Sequence, residues 1–275
     1  MPKVWLITGT SRGFGREFAQ AALERGDQVA ATARDIGTLS DLVDAHGDAI
    51  LPLALDVTDK AAVGSAVAAA HDRFGRLDVV VNNAGYGLFG MIEEISEQQL
   101  RDQLETNLFG AFWVTQAVLP ILRAQGSGHI IQISTIGGIC AFPSLGGYHA
   151  SKWALEGFSE SLAQEVAGAG IKVTLVEPGG FATDWAGSSA VHTDPNPAYD
   201  GLRQMMAELA AQAQYGDPAA AGPALLEVVD ADDPPLRVLF GAQPVELVKH
   251  AYAQRLQTWA DWEHVSRAAQ GQQPA

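Results

Sequence analysis

A single cysteine, Cys140, stands in the 275-residue chain, so no intramolecular disulfide can form, and a reducing compartment such as the cytoplasm is expected. It lies between Ile139 and Ala141, a setting for a small buried thiol rather than a nucleophile. Basic residues are scarce, with 17 Lys and Arg against 32 Asp and Glu and a formal charge of −15. That balance excludes nucleic acid and anionic membranes as partners, since both present phosphates that demand cations, and it favours solubility. No apolar run approaches the ~18 residues of a spanning helix. The run Val4-Trp5-Leu6-Ile7 is too short for a signal peptide and reads as the start of a strand. The seven histidines include no pair at metal-ligand spacing, and the lone cysteine adds no partner, so no metal site is expected.

What is present is an alternation of strands and helices. Val4 to Ile7 runs into the glycine-rich turn Thr8-Gly9-Thr10-Ser11-Arg12-Gly13-Phe14-Gly15, and Phe18, Ala19, Ala22 and Leu23 then recur at helical spacing. Strand, glycine turn and helix together make a cradle for a pyrophosphate. The glycines let backbone N–H groups approach, and the helix N-terminus favours negative charge. Further strands are expected at 28–33, 50–57, 77–81, 129–133, 171–176 and 236–240, with helices between them. Such continuous apolar runs suit strands buried on both faces, and helical crossovers between them imply a doubly wound α/β sheet, seven-stranded and mostly parallel, with helices on both faces.

The end of the second strand, Ala33-Arg34-Asp35, is where a dinucleotide's adenosine ribose would lie. An acidic residue there would bind a 2′-hydroxyl, whereas Arg34, aided by Arg12 in the glycine turn, would accommodate a 2′-phosphate and so favour NADP over NAD. Both arginines can also be read as solvated surface groups. Asp56 ends the third strand, where it could also cap a helix. Asn82-Asn83-Ala84-Gly85 follows the fourth, and Asn107 sits in an otherwise apolar helical stretch. Ser134-Thr135 closes the fifth strand, at the sheet edge where open α/β folds bind ligands. Tyr148 and Lys152 then fall one helical turn apart, so the ammonium is expected to lower the phenol's pKa from its ordinary ~10 toward working pH. A phenol tuned in that way suits alcohol–carbonyl chemistry.

No linker, repeat or low-complexity block interrupts residues 1–275, so one domain is expected, with an irregular insertion at about 180–217 that could act as a lid or substrate wall. A helix is expected from Pro218 to Val229, with Gly222-Pro223 as a weak point, and an amphipathic extension over about 245–269 before a fraying tail from Gln270.

Taken in order, Thr8-Gly9-x-x-x-Gly13-x-Gly15, Asn82-Asn83-Ala84-Gly85, Asn107, Ser134-Thr135, Tyr148-x-x-x-Lys152 and Pro178-Gly179 resemble the motifs of the short-chain dehydrogenase/reductase family over nearly the whole chain. The resemblance implies a Rossmann-type fold and an oxidoreductase exchanging hydride between NADP(H) and a hydrophobic carbonyl compound or secondary alcohol. Tyr148 would be the general acid or base, and Lys152 would tune it and hold the nicotinamide ribose. Asn107 would position a proton-feeding water, and a strand-end hydroxyl would polarise the carbonyl. That hydroxyl is usually a serine; here Thr135 stands at the family's spacing, while Ser134 would need a bulge to face the same side.

The resemblance further assigns Thr10, Ser11, Arg12 and Phe14 to the phosphates and Arg34 to a 2′-phosphate. Asp56 and Val57 go to the adenine, Asn83, Ala84 and Gly85 to the ribose, and Pro178, Gly179, Gly180, Phe181 and Thr183 to the nicotinamide end. Tyr86, Leu88, Phe142, Phe181 and Trp185 would surround the substrate. It also implies a homodimer or homotetramer. Two other readings share the fold: a dinucleotide-binding sensor without turnover, and an epimerase or dehydratase.

Overall fold

Each unbroken apolar run is too short to be a helix, and helical segments intervene between successive runs, which lets successive strands lie parallel. The computed structural model describes residues 2–271 and has this alternation. Its strands are β1 (Val4–Ile7), β2 (Gln28–Ala33), β3 (Ile50–Ala54), β4 (Val79–Asn82), β5 (Leu88–Phe89), β6 (Gly128–Ile133), β7 (Ile171–Pro178), β8 (Val191–His192) and β9 (Arg237–Phe240). Seven form one sheet in the order β3-β2-β1-β4-β6-β7-β9, and every pairing in it is parallel. The winding reverses between β1 and β4, which opens a crevice at their carboxyl ends.

The helices are α1 (Gly13–Glu24), α2 (Ser40–His46), α3 (Lys60–Phe74), α4 (Glu97–Leu104), α5 (Gly110–Gln125), α6 (Gly146–Val166), α7 (Asp200–Ala211), α8 (Ala221–Asp230), α9 (Gln243–Asp261) and α10 (Glu263–Gln270). They cover both faces of the sheet. On one face Phe18 and Ala22 of α1 and Leu225 and Val229 of α8 pack with Val79, Val81 and Phe240. On the other, Val67 and Ala70 of α3, Val118 and Leu122 of α5 and Leu162 of α6 pack with Leu6, Val80 and Ile130. Alternation along β4, with Val79 and Val81 on one side and Val80 on the other, joins the two cores through the sheet.

Local chemistry sets the boundaries. The Asp59 carboxylate accepts from the Ala61 and Ala62 amides and starts α3, and Gly75, at φ +77, ends it. Gly222-Pro223, which looked like a weak point, falls in the first turn of α8, where the missing proline N–H breaks no hydrogen bond within the helix.

Several segments differ from the sequence expectation. The long C-terminal helix is two helices broken at Trp262, and it starts at Gln243. Gln270 is still helical, and the tail beyond residue 271 lies outside the described residues. The insertion is more regular than its composition implied. It contributes β8, which pairs in parallel with β5, and the helix α7. The two-residue strand is too short to show a period, whereas Leu202, Met205, Met206 and Leu209 recur at helical spacing and mark α7. A one-turn π-helix, Glu105–Phe109, joins α4 to α5. Among the described residues, no helix is long and apolar enough to cross a membrane, and no group of three or more His, Cys, Asp or Glu side chains could hold a metal ion.

The edge of the first core is pinned by one carboxylate. Asp27, 4% exposed, accepts from the Lys3 amide at 2.9 Å, from Trp5 Nε1 at 2.8 Å and from Arg25 Nε at 3.0 Å. Asp27→Ala would leave the buried indole N–H and an amide without acceptors. We expect a loss of roughly 2–3 kcal/mol, read as a lower denaturant midpoint with an unchanged slope.

Candidate active site

The crevice at the β1–β4 reversal is locked by backbone contacts. The buried Thr8 hydroxyl accepts from the amides of Asn83 at 2.9 Å and Ala84 at 3.0 Å. The Asn83 side chain donates to the Thr8 and Gly9 carbonyls at 2.9 and 3.0 Å. Glycine is required for this closeness: a Cβ on Gly15 would lie 2.3 Å from the Gly9 carbonyl oxygen and 2.4 Å from the Asn83 amide nitrogen. Gly9 and Gly13 also adopt φ values of +70 and +58. The turn delivers the chain into α1, whose capping residue Arg12 makes no side-chain capping hydrogen bond. The first-turn amides of α1 therefore receive no side-chain cap at the crevice, an arrangement that could hold a diphosphate.

Arg34 is exposed just beyond β2, close enough to Asp56 to act on its carboxyl. Burial would raise that carboxyl, but the Thr58 amide and hydroxyl, with Arg34, hold it below its ordinary value. Asp35 is occupied in accepting the Gly37 amide at 2.9 Å. Arg12 does not stand free for a shared anion with Arg34. Its guanidinium crosses to the insertion and donates to Asp184 Oδ2 at 2.9 Å and Ser188 Oγ at 3.0 Å. Val57 is buried, and its side chain fills the space a Cβ on Gly110 would need.

Above the carboxyl ends of β4, β6 and β7 the remaining polar groups converge. Tyr148 and Lys152, each 6% exposed, lie on the inner face of α6 with the ammonium 6.0 Å from the phenol ring centroid. Lys152 Nζ donates to the Ile133 carbonyl at 2.7 Å. The Asn107 side chain donates to the Tyr86 carbonyl at 3.0 Å and to Ser151 Oγ at 3.2 Å, and accepts from the Tyr86 amide at 3.1 Å. Gly85 makes room for this arrangement, since a Cβ there would meet Asn107 Oδ1 at 3.0 Å and Lys152 Nζ at 3.8 Å. Asn107 sits in the π-turn, whose extra residue turns its side chain inward.

The two strand-end hydroxyls point to different places. Thr135 lies against the Tyr148 phenol, and it also accepts from the Gly137 amide at 3.1 Å. Ser134, 3% exposed, points under the strand end: a Cβ on Gly138 would lie 2.6 Å from its Oγ and 3.0 Å from Glu156 Oε1. The titration of the phenol differs from expectation. Burial pushes Tyr148 well above the ordinary tyrosine value, and contact with Thr135 opposes it only in part. No lowering by Lys152 appears, because burial also draws Lys152 down to about 8 and weakens the case for charge on either group.

The aromatic residues divide. The Trp185 ring lies 5.0 Å from Tyr148 and 5.1 Å from Phe89. Phe142 is exposed and stands edge-on to His149, itself 6.0 Å from Tyr148. Tyr86 is half-buried beside Asn107. Leu88, by contrast, is wholly buried beneath α6 against Gly147 and lines no open surface. Phe181 packs edge-on to Phe14 at 4.9 Å and over Gly216, so it belongs to the α1 side of the crevice. Pro178 ends β7, Gly179 packs on Pro244, and Gly180 is exposed beside Tyr215. The Thr183 hydroxyl caps the turn that carries Trp185. His149 and Phe89 were not foreseen. His149 was legible only as the neighbour of Tyr148, and Phe89 reaches the site through β5, a strand of two residues.

The model of the short chain dehydrogenase family matches residues 3–193, which include the glycine turn, Asn83, Asn107, Thr135, Tyr148 and Lys152. The chain belongs to the short chain dehydrogenase family. Across its whole length it resembles the oxidoreductase BOA17 of Botryotinia fuckeliana, at 44% identity over 98% of this chain and 100% of that one. A crystal structure of a short-chain dehydrogenase from Streptomyces avermitilis superposes with TM-score 0.92 at 41% identity, covering 98% of both chains. An alcohol dehydrogenase from Thermococcus sibiricus, solved with 5-hydroxy-NADP, matches at TM-score 0.73 and 26% identity over 87% of this chain and 96% of that one. The family match ends inside the insertion, so α7 to α10 lie beyond the matched segment.

The turn of this short chain dehydrogenase gives a direct test of its packing. Gly15→Ala drives a methyl group into the Gly9 carbonyl and the Asn83 amide. The expected cost is about 1–3 kcal/mol, seen as a lower melting temperature without any ligand.

Proposed function

We propose that this oxidoreductase moves hydride between NADP(H) and a carbonyl compound or secondary alcohol, with Tyr148 carrying the proton. The observation that carries the reading is the convergence of Tyr148, Thr135, Lys152 and Asn107 at the carboxyl ends of β4, β6 and β7, facing the glycine cradle. When bound, the nicotinamide supplies or accepts the hydride at the substrate carbon. The chain does the rest. Burial keeps the Tyr148 phenol protonated, as a general acid must be before it donates to a carbonyl oxygen. Thr135, beside the phenol, offers its hydroxyl to the same oxygen and polarises it. Ser134, turned toward Glu156, has no part in that contact. Lys152 as an ammonium sets a positive charge beside the phenol and reaches the ribose, while Asn107 fixes the Tyr86 backbone and Ser151 around it. Trp185, Phe142 and Tyr86 form an apolar wall suited to a hydrophobic substrate.

NADP is preferred in this reading because Arg34 follows β2 while the next acid, Asp35, is engaged with Gly37. The alcohol dehydrogenase of Thermococcus sibiricus, with its NADP derivative, supports the same cofactor class. Thr10, Ser11, Arg12 and Phe14 would hold the phosphates, Arg12 leaving Asp184 to do so. Asp56 and Val57 would flank the adenine, Asn83 to Gly85 the ribose, and Pro178 to Thr183 the nicotinamide end. Assembly into a dimer or tetramer would use the outer faces of the π-turn and of α6, where Phe109 and Trp153 are 39% and 44% exposed.

Fluorescence titration with NADPH and NADH, followed by NADPH oxidation against a panel of hydrophobic ketones and aldehydes, tests the reading. NADPH should bind more tightly than NADH, and Arg34→Ala should abolish that preference. Tyr148→Phe should bind NADPH normally yet lose about 10²–10⁴-fold in turnover. Failure of both nucleotides to bind would overturn the proposal.

A further inference from the structure

Beneath the site lies a buried acidic pair that the proposed chemistry does not use. Glu156 on α6 is 6% exposed and Glu177 near the end of β7 is 1% exposed. Arg237 of β9 serves both, with Nε 3.0 Å from Glu156 Oε2 and 3.6 Å from Glu177 Oε1, and it also donates to Glu160 at 2.8 Å. One guanidinium thus faces three carboxyl groups. Glu156 Oε1 and Glu177 Oε1 are buried without hydrogen-bond partners, an arrangement that a proton held between the two carboxyls would relieve. Burial, and then the charge of Glu156, raise Glu177 to about 8, and burial raises Glu156 as well. Two buried carboxyls set against one guanidinium favour a shared proton and a single negative charge over two charges.

The pair's position gives that charge a use. Glu156 lies one helical turn beyond Lys152 on the same buried face of α6, and its charge acts on Lys152 against the effect of burial. The other groups around Lys152 are the Ile133 carbonyl from β6, Tyr148 from α6 and Asn107 from the π-turn, none of which supplies a formal negative charge while the phenol is protonated. Around the pair stand Ser134 just beyond β6, Glu160 from α6 and Arg237 from β9; Arg255 of α9 is directed to the Ile139 carbonyl instead.

We propose that Glu156, sharing a proton with Glu177, is the positioning residue whose negative charge, one turn along α6, holds Lys152 as an ammonium. This rests on the role given to Lys152 above, and it deepens that reading by naming the source of its charge. The two carboxyls are not equivalent. Glu156→Gln removes the charge beside Lys152, so the ammonium is less favoured and its titration moves to lower pH. Glu177→Gln removes only the like-charged neighbour; Glu156 then ionises fully, and Lys152 titrates at the same or a higher pH. A merely structural pair would give equal effects.

The test is an NMR titration of the lysine side chains in ligand-free protein, with the Lys152 signal assigned by Lys152→Met. The expected result is a midpoint about one pH unit lower in Glu156→Gln, and not lowered in Glu177→Gln. The pH profile of kcat for ketone reduction should follow: on its alkaline limb Glu156→Gln keeps about tenfold less of its plateau rate than the parent, and Glu177→Gln keeps as much or more. An unchanged midpoint in Glu156→Gln, or equal lowering in both variants, overturns the proposal. Should Glu156→Gln not fold, a lowered midpoint in Glu177→Gln overturns it alone. Since the titration needs neither substrate nor nucleotide, absence of turnover in the parent would count against the oxidoreductase reading of the site and not against the pair.

Discussion

The close approach of the glycine turn to the end of β4 is the constraint on which the site depends. Thr8, Gly9 and Asn83 exchange hydrogen bonds across the point where the sheet reverses its winding. That contact fixes where α1 begins, and therefore where its unpaired amides face. It also sets the course of the chain through Ala84 and Gly85 toward Asn107 and Lys152. One backbone arrangement thus determines the glycine-lined crevice and one wall of the Tyr148 cluster together.

Burial then decides the protonation of that cluster. Tyr148, Lys152, Glu156 and Glu177 are all shielded from water, and in each the neutral form gains. Charge survives where a partner offsets the desolvation, as between Glu156 and Arg237. A buried group titrates according to its whole surroundings, so the nearest neighbour in sequence is a poor guide to its pKa. This is why Lys152, one turn from Tyr148, does not lower the phenol as spacing alone implied. The insertion is held with comparable firmness. Buried Glu94 accepts from Met91, Thr193 and Asn196 and pairs with Arg203, so the segment after β8 is tied to the one after β5. The same insertion sets Trp185 against Tyr148 and Asp184 against Arg12.

Much of this was open to reading in the sequence. All seven strands of the sheet, the helices between them and the order of the motifs follow from apolar runs, glycines and caps, because a parallel sheet buried on both faces demands such runs. Tyr148 and Lys152 could be placed for the same reason, being set on an element whose period is plain, and Asn107 stood out as a polar residue in an otherwise apolar helical stretch. What the sequence concealed were features without a period of their own. The β5–β8 ribbon has two residues per strand, the π-turn is a single inserted residue in a helix, and the break at Trp262 lies within an otherwise helical pattern.

By itself, then, the sequence determined the fold class and the placement of Tyr148 and Lys152 on one helix face, since local propensity and burial pattern suffice for both. Only the tertiary structure decided the rest. It turned Thr135 toward the phenol and Ser134 toward Glu156, removed Leu88 and Phe181 from the Tyr148 side, drew Arg12 to Asp184, and brought Glu156, Glu177 and Arg237 together from three separate elements. Which way a side chain points at a strand end, and which charges meet in the interior, depend on contacts between segments distant along the chain, and no local pattern records them.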